Sequence, residues 1–377
     1  MADWSSLPSD LVVRIGDCLL ASNDVDCYMD LRVVCTSWRS STDDPKNSSE
    51  LRFRPRRWII IDEVFQSDSR LMVNTVSGRV IRKDLPLLRR FYVVATTHGG
   101  FFVLAEKKPP HAACVLNPFT GHLIQFMAPL LCLKDLSAAV IGSAPSIVLL
   151  SDSDRLCLRY EADPDSECFT CHEGRNYLEF YHMNRLAFHG GVCVKGPVGP
   201  FPVGVANKIS DWTRMFPELF PSMSLADCVF ITKFAGQVFM ILNLQYKMTV
   251  YKLDAGSEVL ERVNSIGNLA IFIGPRRCFA VNAEKVPSIG SSWIYYVKST
   301  EYLLDIYKYD LKEDKEERIC EAIYSLKEPG RSIPEDIQQL WHSVKQGTSL
   351  CTATLPFTLI QLLSSYTTNV RPSELEG

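Results

Sequence analysis

Close to the N-terminus the apolar residues keep a helical period. Leu11, Ile15 and Leu19 recur every fourth residue with Val12 beside them, and Pro8 and Ser9 stand where a helix begins, Ser9 as a residue able to cap its free amides. A second run opens at Asp24, another capping residue, and presents Tyr28, Leu31, Val34 and Cys35 at spacings of three or four, with Trp38 one turn on. The pattern predicts three short helices over residues 5–43. From Trp58 the helical period disappears, and short runs rich in Val, Ile, Phe and Tyr alternate with Gly, Asn, Asp and Pro turns. Trp58–Ile61, Phe91–Ala95, Phe101–Ala105, Ile147–Leu150, Val229–Thr232 and Trp293–Val297 are the clearest strands. About twenty to twenty-four such strands fit before residue 324, a number that points to a propeller or a pair of sandwiches. The tail changes again: Pro334, followed by Glu335 and Asp336 in a first turn, predicts a helix over 334–346.

The strand region repeats itself. Phe101-Phe-Val-Leu104, followed by the turn Asn117-Pro-Phe-Thr-Gly121, has counterparts in Val238-Phe-Met-Ile241 followed by Asp254, and in Ile294-Tyr-Tyr-Val297 followed by Asp310. In each copy the Asn or Asp stands thirteen positions after the last strand residue: 104 to 117, 241 to 254, 297 to 310. The first two copies start 137 residues apart (101 to 238), close to three units of the ~40–50 residues that make one propeller blade. In the turn itself, Pro118 fixes φ and Gly121 is free to take a positive φ, as a hairpin between blade strands requires. The reading is therefore mainly β: a three-helix module over 4–43, a linker over 44–57, a β-propeller over 58–324 of about six blades, with five or seven as alternatives, and a tail over 325–377.

A helical module this short cannot bury its own apolar side chains, so it needs a partner surface, either the β domain or another protein. The linker, with Ser, Thr, Asp, Pro and Asn, places a hinge near 43–52, and its arginines Arg52, Arg54, Arg56 and Arg57 read as a solvated surface.

Charge and composition narrow the function. The chain has 377 residues and a formal net charge of -3, so no global positive field exists to hold nucleic acid or an acidic membrane. Its N-terminus has no basic start followed by an apolar run, and its longest apolar stretch, 138–150, is broken by Gly142, Ser143, Pro145 and Ser146. Thirteen cysteines scattered along apolar segments suit a reducing compartment, and the expectation is an intracellular protein of the cytoplasm or nucleus without a disulfide framework. Cys168-Phe-Thr-Cys171-His172 has the spacing of a haem attachment site, and with His182, His189 or Cys193 it could supply four zinc ligands. No second tight pair accompanies it, and no metal or cofactor is expected. Neither a G-x-S-x-G elbow nor a P-loop occurs, and His98 and His189 stand in hairpin turns, so no catalytic residue is named.

Trp4-x-x-Leu7-Pro8-x-Asp10-Leu11, then Ile15, then Val33-Val34-Cys35-x-x-Trp38-Arg39 closely resembles the F-box, with Gly16-Asp17 as a departure that weakens the first helix. The Asn117 turn, the Val250-Tyr-Lys-Leu-Asp254 strand, the Leu269-x-Ile-Phe-Ile-Gly274 segment and Ile294-Tyr295-Tyr296 resemble the plant F-box proteins that carry a KIB-type β-propeller. The resemblance implies a substrate-recognition subunit of an SCF-type (cullin-RING) ubiquitin ligase, without catalysis of its own. Leu7, Pro8, Leu11, Ile15, Leu19, Leu31, Val34, Cys35 and Trp38 would bind the Skp-family adaptor, and through it a cullin, while the propeller holds an unknown target protein. Leu7, Pro8, Leu11, Ile15, Val34 and Trp38 are expected to be largely exposed in the free chain. The other readings are a propeller enzyme or ligand-binding protein with a structural helical cap, and an F-box protein acting outside ubiquitin transfer.

Overall fold

A computed structural model describes residues 4–48, 50–55, 57–61, 68–97, 100–130, 136–141, 145–153, 156–173, 187–189, 228–244, 247–253, 260–274, 278–286, 288–299, 304–322 and 358–368. The predicted helix over 334–346 lies outside them.

Three helices open the chain: α1 (Ser9–Ala21), α2 (Val25–Val33) and α3 (Thr36–Ser41). Ser9 is the first residue of α1 rather than its cap. Pro8 takes that place with extended backbone, and its carbonyl accepts from the amides of Leu11 and Val12 at 3.0 and 3.2 Å. Asp24 does cap α2, accepting from the Cys27 amide at 3.1 Å, and Cys35 Sγ accepts from the Trp38 amide ahead of α3. Gly16 has a packing reason: a Cβ there would lie 3.0 Å from the Tyr28 ring, so its absence lets α2 approach α1.

The strands, twenty-one among the described residues, form five sheets. The first orders β1 (Trp58–Ile61), β2 (Ser69–Asn74) and β3 (Val80–Asp84) as an antiparallel meander. The second orders β4 (Phe91–Thr96), β5 (Phe102–Glu106), β6 (Ala112–Leu116) and β7 (Leu123–Pro129) in sequence, and the third does the same with β8 (Leu136–Ile141), β9 (Ile147–Ser153), β10 (Leu156–Ala162) and β11 (Thr170–Glu173). The fourth runs from β12 (Ala187–His189), parallel to β13 (Cys228–Phe234), through β14 (Gln237–Leu244) and β15 (Lys247–Leu253) to β16 (Leu260–Val263). In the fifth, β17 (Leu269–Ile273) stands between β18 (Cys278–Asn282) and a parallel β19 (Trp293–Ser299), followed by β20 (Leu304–Asp310) and β21 (Lys315–Glu321). All six strands singled out in the sequence are present: Trp58–Ile61 is identical, the strand expected from Phe101 starts one residue later at Phe102, and the other four run longer than expected.

The repeat corresponds to hairpins, with one difference. Ile241 faces Val250 and Val297 faces Ile306, each nine positions on, whereas Leu104 faces Cys114, ten positions on, so the first copy's register is shifted by one. The polar residue that ends the hairpin does the same work in the two copies described there. Asn117 Oδ1 accepts from the amides of Phe119 and Thr120, and Asp310 Oδ1 from those of Lys312 and Glu313. Asn74 repeats the device, its Oδ1 accepting from Val76 and Ser77 at 3.0 Å, with Gly78 at positive φ as Gly121 is. Asn74-Thr-Val-Ser-Gly78 therefore is a further copy that the strand comparison passed over, 43 residues before Asn117 (74 to 117).

In the segment read as a linker over 44–57, with a hinge near 43–52, some of the described residues are packed while Asp44, Lys46, Glu50 and Leu51 are exposed. The segment forms two 3-10 turns, Pro45–Asn47 and Leu51–Phe53, and Phe53 is buried between Tyr28 and the second sheet. Asn117 Nδ2 donates to the Phe53 carbonyl at 2.9 Å, tying this segment to the blade turn. The arginines are not all solvated either: Arg54 is buried, and Arg52 pairs with Asp43 and Glu50.

A last helix, α4 (Leu359–Thr368), was not anticipated. Its Leu363 and Tyr366 are buried with Ile59, Ile61 and Val73 of the first sheet and with Ala270, Phe272 and Phe279 of the fifth, so the tail packs against both sheets. Gly274 makes room for it, since a Cβ there would stand 2.4 Å from Thr367 Oγ1. No helix among the described residues is long and apolar enough to cross a membrane.

Candidate docking surface

The helical module has two faces with opposite fates. On the inner one, Leu20, Val25 and Tyr28 join one core with Phe53, Trp58, Ile60, Met72, Phe102 and Phe119, and Met29 packs against it. Tyr28 is held at both ends, its hydroxyl donating to the Asp43 carbonyl at 2.8 Å and its ring lying 5.7 Å from that of Phe53. Arg32 is buried and donates to the carbonyls of Thr42 and Asp43, closing α3 onto α2.

Polar contacts reinforce the inner face. Arg79 and Lys83 share one side of β3 because strand side chains alternate, and the intervening Val80 and Arg82 point outward, exposed. Arg79 bonds Asp24 at 3.0 Å, Asp26 at 2.8 Å and Cys27 Sγ at 2.8 Å, and Lys83 bonds Asp26 at 2.8 Å. Burial alone would lower the pKa of Arg79, but Asp24 and Asp26 outweigh it and hold it above the ordinary value. Burial, followed by the hydrogen bond to Asp24, pushes the Cys27 thiol up to about 11.

The outer face is apolar and faces solvent. Leu11 is 40% exposed, Ile15 42% and Val34 57%, and Pro8 is exposed with them. Leu11 and Ile15 stand one turn apart on α1, hence on one side of it. Leu7, Leu19 and Cys35 are half-buried at the rim of a small cluster formed by Val12, Leu31 and Trp38. Of the six residues expected to be largely exposed, Pro8, Leu11, Ile15 and Val34 are so, Leu7 is half-buried, and Trp38, at 9% exposed, is part of the module's own core; Leu31, expected to dock, is buried as well. The reason is that a three-helix module still needs a central apolar layer, and the largest side chain fills it. Trp38 Nε1 is buried there with no hydrogen-bond partner among the described residues. Three further apolar residues of the module are exposed without having been assigned to docking: Val13, and Trp4 and Val33, which stand in the F-box pattern itself. Val33 adjoins Val34 and Trp4 precedes the first helix, positions that a search for periodic apolar residues passes over.

The metal candidates are not brought together. Cys168 and Cys171 are free and exposed, and Cys171 and His172 pair in register with Tyr160 and Arg159 of β10. His182 and Cys193 lie outside the described residues. Among the described residues, no group of three or more His, Cys, Asp and Glu side chains could hold a metal ion.

A family model described as the KIB1-4 beta-propeller matches residues 64–325, more than half of the chain. No curated protein matches it. Among solved structures, it is similar at TM-score 0.25 and 6% identity to TolB from Acinetobacter baumannii, covering 70% of this chain and 52% of that one. It is similar at TM-score 0.24 and 10% identity to the dihydro-heme d1 dehydrogenase NirN in complex with DHE, covering 67% and 64%. The Dos1 propeller follows at TM-score 0.17 and 11% identity, covering 73% and 65%. The chain spans less than two thirds of the length of each, and likeness at these TM-scores carries no argument.

Proposed function

The chain belongs to the KIB1-4 beta-propeller family, and on that premise we propose that it is the substrate-recognition subunit of an SCF-type ubiquitin ligase inside the cell. The observation that carries this reading is the division of the helical module: its inner face is committed to the sheets, while Pro8, Leu11, Ile15, Val33 and Val34 remain in water. Exposed apolar side chains grouped on one small module mark a partner site. The F-box pattern of Leu7, Pro8, Leu11, Ile15, Val34, Cys35 and Trp38 names that partner as a Skp-family adaptor, which brings the cullin. The propeller holds the target, and transfer is promoted by raising the effective concentration of the ubiquitin donor at the target's lysines. No covalent step is asked of this chain.

The test is co-expression of the full chain with a Skp-family adaptor, followed by gel filtration. A one-to-one complex that survives dilution supports the assignment, and an adaptor that elutes alone overturns it. One observation favours a second reading, in which the helices are a structural cap on a ligand-binding propeller or a propeller enzyme: the inner face packs on the first two sheets as tightly as a cap would. That reading predicts no adaptor complex. An F-box protein acting outside ubiquitin transfer would form the complex yet fail to support ubiquitin transfer to any bound protein in a reconstituted ligase.

A further inference from the structure

Two domains joined by a short polar segment ordinarily move relative to each other unless a large interface stops them. Here the joining segment is packed through Phe53, and α2 is bonded to β3 by four side chains of opposite charge. Asp26 is the centre of the arrangement, receiving Arg79 and Lys83 on its two oxygens, and its side chain is only 10% exposed. Arg79 spans the carboxylates of Asp24, Asp26 and, at 3.8 Å, Asp30, as well as the Cys27 sulfur, and its guanidinium also lies 6.0 Å from the ring centroid of Trp58. Lys83 similarly lies 5.0 Å from the Phe119 ring. Both cations therefore sit between the module's acids and the aromatic floor of the sheets, where screening by water is weak and a pair is worth more than at an open surface.

We propose that Arg79, with Lys83, is a positioning residue: it locks α2 to β3 so that the outer face of the helical module is held at one fixed orientation to the propeller. This inference rests on the ligase reading for its purpose, because an adaptor on one side and a target on the other are then presented at a constant separation. Productive transfer depends on such geometry. Arg79 does not touch the outer face and contributes nothing to adaptor contact.

The experiment measures the distance between spin labels in the full chain. Labels are introduced by unnatural amino acids at exposed Asp17 of α1 and exposed Met127 of β7, because thirteen native cysteines rule out thiol labelling. The unmutated sequence at Arg79 should give one narrow distance distribution, and Arg79→Gln a clearly broader one, because only the shared apolar core then holds the module to the sheets. Arg79→Lys, which keeps a charge, should recover part of the narrowing, a response that loss of bulk alone would not give. Adaptor affinity of Arg79→Gln should stay within about twofold of the parent, as for sites that do not share partners. A broad distribution in the parent, an unbroadened one in Arg79→Gln, or an adaptor affinity that falls further than this would each overturn the proposal. Should Arg79→Gln not fold, Lys83→Gln removes the other half of the clamp, and an unbroadened distribution there is equally fatal. Since the distances are read without adaptor, failure of the lock and failure of the ligase reading are seen separately.

Discussion

The repeated turns use Asn at one place and Asp at another, and the structure gives a reason that can be measured. Asn117 and Asp310 both accept two backbone amides through Oδ1, a role that either residue can fill. Only Asn117 has a second duty, donating from Nδ2 to the Phe53 carbonyl at 2.9 Å, with Asn117 4% and Phe53 1% exposed. Asn117→Asp keeps the acceptor, removes the donor and leaves a carbonyl oxygen facing a carboxylate away from water. An unsatisfied buried group costs about 1–3 kcal/mol, and a buried charge without a partner adds to it, so the expected loss is roughly 2–4 kcal/mol. Asp310→Asn keeps its oxygen in a half-buried turn and should change stability by less than about 0.5 kcal/mol. Urea unfolding of the three proteins at neutral pH reads these values directly. Lowering the pH supplies an internal check: protonated aspartic acid has an O–H to donate, so the deficit of Asn117→Asp should narrow as the pH approaches ~4. Equal effects of the two substitutions, or a loss under about 0.5 kcal/mol for Asn117→Asp, would refute the reasoning.

Gly16→Ala should destabilise the protein, since overpacking against the fixed Tyr28 ring costs about 1–3 kcal/mol and outweighs the helix-propensity gain of up to ~1 kcal/mol; a raised thermal midpoint would contradict this. Brief alkylation of the native protein followed by peptide mass spectrometry should label Cys168 and Cys171, which are exposed, and spare Cys114, whose thiol burial pushes up to about 12, and Cys278, whose thiol burial also raises well above its ordinary value. Cys27, held near 11, and Tyr309, pushed up to about 12 by burial and then by its bond to Asp314, keep their protons in the folded state to a higher pH than in the unfolded chain. Their contribution is whole below the ordinary thiol value of 9.0 and is lost as pH rises towards those folded values, so melting temperatures should fall between pH 9.0 and 11. A flat profile there would speak against it.

Much of the architecture was legible because period is a local property. Leu11, Ile15 and Leu19 announce α1, the Asp24 cap announces α2, and Trp58–Ile61 is a strand end for end. The functional surface was only partly legible, because period marks apolar residues without saying which side of a thin module they face. Trp38 and Leu11 carry the same signal in the sequence, yet one closes the module's core and the other meets water. Contacts between distant segments leave less trace still. Nothing local to Asp24, Asp26 or Arg79 says that they meet across more than fifty positions (24 to 79), and the arginines on either side of Phe53 hide that this one side chain is a core residue. The helix α4 was missed because its inner face is built from Ser364, Ser365 and Thr367 as well as Leu363 and Tyr366, a mixture that reads as surface.

The central claim is that the outer face of the helical module binds a Skp-family adaptor. Its most direct test is calorimetric titration of adaptor into the full chain and into a Leu11→Ala, Ile15→Ala, Val34→Ala triple variant, beside thermal melts of both. Each side chain is about half exposed, so its docking should contribute roughly 1 kcal/mol, and the three together more than a hundredfold in affinity. The account predicts tight binding by the parent, a loss of that size in the variant, and an unchanged melt, because these side chains take no part in the shared core. No binding by the parent, or equal affinity in parent and variant, would contradict it.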